Sequence, residues 1–218
     1  MTSMAIPLAL THRSAIAVGV VMNMTACIVS GCGSLIEPPP PPQLYVLAPS
    51  MGPAAEPGPR VKWQLSVSLP AARANLDTSR IALRKTLTMM DYFADAAWTD
   101  RLPLVVHDLL IESFSHTGKI VGVARDTGGI AANYRLDTEM REFEAHYDQA
   151  DVAPRIVVRL EAKLVALPER NIIYSLAVTQ EAPAARNDLD SIVVAFNQAG
   201  GSALKQIVDW TFRELPAG

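Results

Sequence analysis

The chain has 218 residues, half of them hydrophobic, and a formal net charge of −3. That hydrophobic fraction excludes disorder over most of the length, and the absence of any basic block excludes nucleic acid as a partner. Both cysteines, Cys27 and Cys32, lie near the N-terminus, so the part beyond them carries no disulfide and no cysteine-based metal site.

Residues 1–31 have the three parts of a secretory signal. His12 and Arg13 supply a weak positive start, and an apolar run from Ala15 to Val29 follows. Fifteen residues are short of the ~20 needed to span a bilayer as a helix. The run ends in Val29-Ser30-Gly31-Cys32, which reads as a lipobox. Small residues before the cut let a signal peptidase hold an extended backbone. The cysteine thiol takes a diacylglycerol, and its freed amine can then be acylated. Met24-Thr25-Ala26-Cys27 is a poorer second version. On this reading Cys32 begins a mature chain of 187 residues, with 18 basic against 22 acidic side chains. Three acyl chains exceed the two needed for stable anchoring. Gly33, not Asp, follows Cys32, which leans towards the outer membrane. No other cofactor is expected.

Residues 32–43 form the anchor and a proline-rich linker. Pro38 to Pro42 are consecutive, and such a run adopts polyproline II at about 3.1 Å per residue, so the linker reaches roughly 30 Å. The domain is expected over 44–216. Leu44 to Leu47 reads as a first strand and Pro49 to Arg60 as a loop. Gln64 to Leu69 alternates as a strand ended by Pro70. Leu76-Asp77-Thr78-Ser79 makes a turn, and Ile81 to Leu87 can pair with Met89 to Phe93 as a hairpin.

Asp100 is the expected cap of a long helix, with Pro103 in its first turn. Leu102, Val105, Val106, Leu109, Leu110, Ser113 and Phe114 follow the 3.6 period up to Gly118. Lys119 to Ala124 reads as a strand, then Asp126 to Gly129 as a turn. Tyr134 to Tyr147 is a long strand whose apolar parity switches near Arg141 or Glu142, the mark of a bulge. Pro154 to Ala166 alternates cleanly and returns through Pro168 to Asn171 into Ile172, Tyr174, Leu176 and Val178, an antiparallel pair with one wet face. Ser191 is the expected cap of a last helix, whose stripe is Val193, Phe196, Leu204, Val208 and Phe212. Its Gly200-Gly201 pair allows a kink or a close backbone approach.

Nothing in the chain reads as catalytic. Asp126-Thr127-Gly128 matches the aspartic-protease triplet, but that chemistry needs two carboxylates sharing a proton and no second copy exists. Thr117-Gly118-Lys119 lacks the upstream glycine of a phosphate loop. His107, His116 and His146 have no metal-ligand spacing and read as surface or helix-end histidines.

An ordered series of words carries a family resemblance. It begins with the lipobox and Pro-Gln-Leu-Tyr-Val-Leu. Arg80-Ile81-Ala82-Leu83-Arg84, Met90-Asp91-Tyr92-Phe93-Ala94 and Ala97-Trp98-Thr99-Asp100-Arg101-Leu102-Pro103 follow. Tyr134-Arg135-Leu136, Glu139-Met140-Arg141-Glu142-Phe143-Glu144-Ala145 and Val208-Asp209-Trp210-Thr211 complete it. Together they resemble the ABC-type transport auxiliary lipoproteins, the PqiC/YmbA-like group. The resemblance implies a single α/β (α+β-like) domain with a mixed, largely antiparallel sheet flanked by two long helices. It implies no enzymatic activity. It implies an MCE-domain protein and an ABC permease and ATPase as partners in moving lipid between membranes. A second copy of this chain, in a homo-oligomer, is the further partner considered. Only Cys32 carries over as a functional position. Arg80, Arg84, Tyr92 and Trp98 are the candidate partner contacts, against packing roles for the same residues. The competing expectation is a stand-alone lipoprotein that holds a hydrophobic ligand in a deep apolar pocket or organises the envelope.

Overall fold

Alternation in the longest strands builds the core. In Tyr134–His146, Leu136, Thr138 and Met140 are buried while Arg135, Asp137 and Glu139 between them are not, the period-2 pattern of a sheet with one wet face. The computed structural model describes residues 41–49, 60–129, 131–149 and 151–216. The signal segment, the lipobox with Cys32, and Pro38 to Pro40 lie outside these residues, as does most of the 49–60 loop.

The elements in order are β1 (Gln43–Tyr45), β2 (Leu65–Val67), β3 (Ala71–Ala72), β4 (Arg80–Arg84), β5 (Met90–Trp98), α1 (Leu102–His116), β6 (Val123–Arg125), β7 (Tyr134–His146), β8 (Arg155–Ala166), β9 (Asn171–Pro183) and α2 (Leu189–Glu214). They form one mixed nine-stranded sheet with two helices. β7 is its centre. One edge of β7 pairs antiparallel with β8 along its whole length. The other edge takes three short parallel strands in succession: β2 at Tyr134–Leu136, β3 at Glu139–Met140 and β4 at Ala145–His146. β6 extends the sheet beyond β2, β5 and β1 extend it beyond β4, and β9 extends it beyond β8.

The register of β7 on β8 shifts between Met140 and Glu142, at the bulge expected from the parity switch. The extra residue keeps Met140 and Phe143 on the same side, so both halves of β7 face the helices. Both helices pack on that side. Phe143 of β7 stacks on Phe196 of α2 with centroids 5.3 Å apart, and Trp98 meets both rings edge-on at 6.4 and 5.3 Å. Phe212 of α2 joins Phe114 of α1 and Trp63 in a second cluster. The Trp63 indole N–H donates to the Pro216 carbonyl at 2.8 Å, tying the helix end to the sheet.

Several boundaries differ from the sequence expectation for identifiable reasons. The N-cap of α1 is Arg101, not Asp100, and no side chain caps it; Leu102 N–H instead donates to the Thr78 carbonyl at 3.0 Å. Ser191 lies inside α2, which begins after Asp188; the Asp188 carboxylate accepts from Ser191 N–H at 2.8 Å. Arg186 and that N–H together hold the Asp188 carboxyl down at about 2. The strand expected over Lys119–Ala124 is confined to Val123–Arg125, with Ile120 making a lone bridge to Val61. β3 follows directly after Pro70, and β5 runs on to Trp98 through an irregular stretch where Asp95 takes φ 54.

The glycine pair does not break α2. A Cβ on Gly200 would sit 3.6 Å from the Phe143 ring, an ordinary contact, whereas one on Gly201 would meet Pro49 Cβ at 2.7 Å. Gly201 thus lets the 48–49 segment, held by Asn197 Oδ1 accepting from Ala48 N–H at 2.8 Å, lie against the helix. Gly201→Ala is expected to destabilise the protein by about 1–3 kcal/mol through overpacking. Gly200→Ala is expected to stay within about 1 kcal/mol of wild type, on the stabilising side, because Ala has the higher helix propensity. Chemical denaturation of the two variants side by side checks the contrast.

Candidate functional site: the open face of the sheet

The face of the sheet away from the helices is laid with ion pairs. On β7 the outward residues are Arg135, Asp137 and Glu139, then after the bulge Glu142, Glu144 and His146. On β8 they include Arg155, Arg159, Glu161 and Lys163. Glu139 stands directly opposite Glu161 in the register, a like-charge pair that repels. The bulged Arg141 resolves it. Its guanidinium binds Glu161 through two N–H groups at 3.0 Å each and reaches Glu139 at 2.6 Å. Arg135 forms a two-point bond with Asp137 at 2.7 and 2.9 Å, and Ser68 donates to the same carboxylate at 2.7 Å. Burial pushes the Asp137 carboxyl up, but Arg135 and Ser68 outweigh it and hold it below the usual range.

Glu144 is the least exposed of these groups, at 1 %. Arg84 of β4 covers it, donating from Nε at 2.9 Å, and His146 Nε2 lies 3.7 Å away. Burial raises the Glu144 carboxyl, yet His146 and Arg84 together pull it below its ordinary value. A buried carboxylate with one strong partner is costly to unpair. The peripheral pairs, such as Lys85 with Asp91, are half exposed and contribute little.

Three of the four candidate contact residues meet on this face. The Arg80 guanidinium lies 3.8 Å over the Tyr92 ring, and Tyr92 donates its hydroxyl to the Asn75 carbonyl at 3.1 Å. Arg84 sits two residues along β4 from Ala82, which is opposite Tyr92. Trp98 does not join them. It is 1 % exposed and packed between Phe143 and Phe196, so it is a core residue and not a partner contact. Cys32 lies outside the described residues.

His107 also departs from expectation. It is buried at 3 % exposure, with Nε2 2.9 Å from the Val67 carbonyl and Nδ1 without a partner. The geometry makes Nε2–H the donor. Its place four residues after Pro103 and three before Leu110, on the buried stripe of α1, was a readable signal. Asp126-Thr127-Gly128 forms the exposed turn after β6, closed by Gly128 N–H on the Arg125 carbonyl at 2.8 Å. Among the described residues no group of three or more His, Cys, Asp or Glu could hold a metal ion, and no helix is long and apolar enough to cross a membrane.

On the helical side an open groove of about 770 Å³ runs between the C-terminal end of α1 and the outer face of α2. Val194, Leu204 and Val208 line it together with Thr117, Lys119 and Lys205, so it is amphipathic. A second, internal void beside Phe143, Phe196 and Gly200 measures about 10 Å³, roughly the room of one water.

A family model described as the ABC-type transport auxiliary lipoprotein component matches residues 45–208. The chain belongs to that family. The match begins at Tyr45, the last residue of β1, and ends at Val208 in α2, so it takes in β2 to β9 entire. An uncharacterised protein of Bradyrhizobium diazoefficiens is 28% identical over 167 residues, 74% of this chain. The aligned stretch spans only 42% of that longer relative. The crystal structure of a protein from Xanthomonas campestris superposes with a TM-score of 0.70 at 29% identity, covering 78% of this chain and 94% of that one. A second crystal structure, of an uncharacterised protein, has a TM-score of 0.62 at 16% identity over 79% and 99% of the two chains.

Arg84→Ala is expected to destabilise the protein by about 1–3 kcal/mol near neutral pH, because Glu144 is left buried without its guanidinium. The Glu144 carboxyl is depressed in the folded state, so its contribution is present above its ordinary value of 4.5 and is lost as pH falls through the lowered value. The gap between wild type and variant therefore narrows on acidification below that point. Adding Glu144→Gln to Arg84→Ala should recover part of the loss. Denaturation midpoints across pH check both outcomes.

Proposed function

We propose that this protein is a lipoprotein anchored in the outer membrane through Cys32 and facing the periplasm. There it acts as a non-enzymatic accessory subunit of an MCE-type ABC system that moves lipid between membranes. The observation that carries this reading is the family match over 45–208, which takes in nearly the whole described domain. Gly33 after Cys32 favours the outer membrane over the inner. The packing supports an accessory role over that of a carrier. The void beside Phe143, Phe196 and Gly200 holds about 10 Å³, far below the ~300 Å³ and more of a cavity that encloses a ligand. The larger groove is open and edged with lysines, unlike the deep apolar pocket that a stand-alone lipid-binding protein would need.

On this reading the open face of the sheet presents Arg80, Arg84 and Tyr92 to the MCE-domain partner. Arg84 is already committed to Glu144, so Arg80 stacked on Tyr92 is the more available contact. Arginine and tyrosine are the residue types that concentrate binding energy in protein interfaces.

Mass spectrometry of the mature protein from membranes is expected to find Cys32 at the N-terminus with a diacylglyceryl group and an amide-linked acyl chain. Cys32→Ala is expected to remain soluble and to fail to restore lipid transport in cells lacking the protein. A Cys32→Ala form that supports transport at the normal level would contradict the anchoring.

A further inference from the structure

The strand register gives the domain two distinct ends. Along one, Arg84 of β4 is level with His146 of β7, Arg155 of β8 and Pro183 of β9. The β4–β5 turn at residues 85–89, the β7–β8 turn and the entry to α2 therefore share that end. β1 runs parallel to β5, with Gln43 opposite Ala96 and Tyr45 opposite Trp98. Since Met90, the first residue of β5, adjoins the 85–89 turn, the chain comes into β1 from the side of that turn.

That end also carries bare apolar side chains. Leu87 at the hairpin tip is 93% exposed, Met89 55% and Val152 of the neighbouring turn 53%. The tip is internally bonded: Lys85 N–H donates to the Met89 carbonyl at 2.9 Å, and Met89 N–H to Thr86 Oγ1 at 3.0 Å. Fewer of its backbone groups then depend on water.

We propose that this end of the domain rests on the lipid bilayer that holds Cys32, with Leu87 and Met89 entering the interfacial layer. The inference depends on lipidation of Cys32. The lengths agree. From the level of Arg80 and Ala97 to that of Arg84 and Met90 is four strand residues, about 13 Å. The five prolines read from the sequence rise about 15 Å as polyproline II. The chain between Cys32 and β1 is thus long enough to reach past the hairpin tip. Full burial of one or two Leu or Met side chains is too little to recruit a free protein. It is enough to orient one already tethered, because the tether makes the contact intramolecular. The charges at this end are mixed, with Asp91, Glu144, Asp148, Asp151 and Asp188 against Arg84, Lys85, Arg155 and Arg186, so attraction to anionic lipid is not the driving term and a zwitterionic surface suffices.

The test uses the full lipidated protein in phosphatidylcholine vesicles, with and without brominated acyl chains. Trp63, Trp98 and Trp210 are 5%, 1% and 4% exposed, so their emission should be insensitive to bromine. Leu87→Trp reports the hairpin tip. Ile172→Trp, 60% exposed in β9 at the far end of the sheet, is the control. Both positions are open enough to take the larger ring, and circular dichroism confirms the fold. The expected result is bromine quenching of the added emission for Leu87→Trp and none for Ile172→Trp. Equal emission with and without bromine for Leu87→Trp, on protein that floats with the vesicles, overturns the inference and leaves the anchor reading intact. A blue shift of that emission without quenching means that a second copy or another protein covers the tip, and overturns it too. Protein that does not float has lost the anchor, and both readings fall together.

Discussion

The bulge in β7 is the constraint on which the rest of the domain depends. A strand of thirteen residues with unbroken alternation would turn half of its apolar side chains to water. The extra residue between Met140 and Glu142 resets the parity, so Phe143 reaches Phe196 and Trp98 while Met140 stays in the core. The same residue, Arg141, is thrown onto the open face. There it holds apart two glutamates that the register sets against each other. One local irregularity serves the core on one side of the sheet and the electrostatics on the other.

The aromatic contacts made possible by that bulge fix the helical layer. Phe143 and Phe196 join the sheet to α2, and Gly201, one turn further on, admits Pro49. The segment arriving from β1 is thereby set against α2. The result is a domain with a packed interior, a polar sheet face and an amphipathic groove along its helices.

Much of this was legible in the sequence where period and burial coincide. The stripe from Leu102 to Phe114, the alternation of Ile156 to Leu164 and the parity switch near Arg141 each translate one-sided burial directly into spacing. Failures came where a nearby signal competed. Trp98 stands just before the helix-start pattern Asp100–Pro103, so it read as part of a surface word. In the fold it ends β5 after an irregular stretch with Asp95 at φ 54, which conceals its alternation. Asp188 and Ser191 are both good cap types three residues apart, and only the backbone tells which one leaves the helix. Cross-strand pairs such as Arg84 with Glu144 need a register between strands sixty residues apart, which no local pattern supplies. The groove between α1 and α2 depends on how two distant helices lie together, and was equally invisible.

The proposed function sets the open face, oriented by a lipid anchor, against an MCE-domain partner. A photo-crosslinking amino acid in place of Arg80, in the lipidated protein in living cells, tests it most directly. A specific adduct containing an MCE-domain protein is expected, absent when the same probe replaces the helix residue Val194 on the opposite side. Adducts confined to abundant envelope proteins, or equal yields from the two positions, would contradict it.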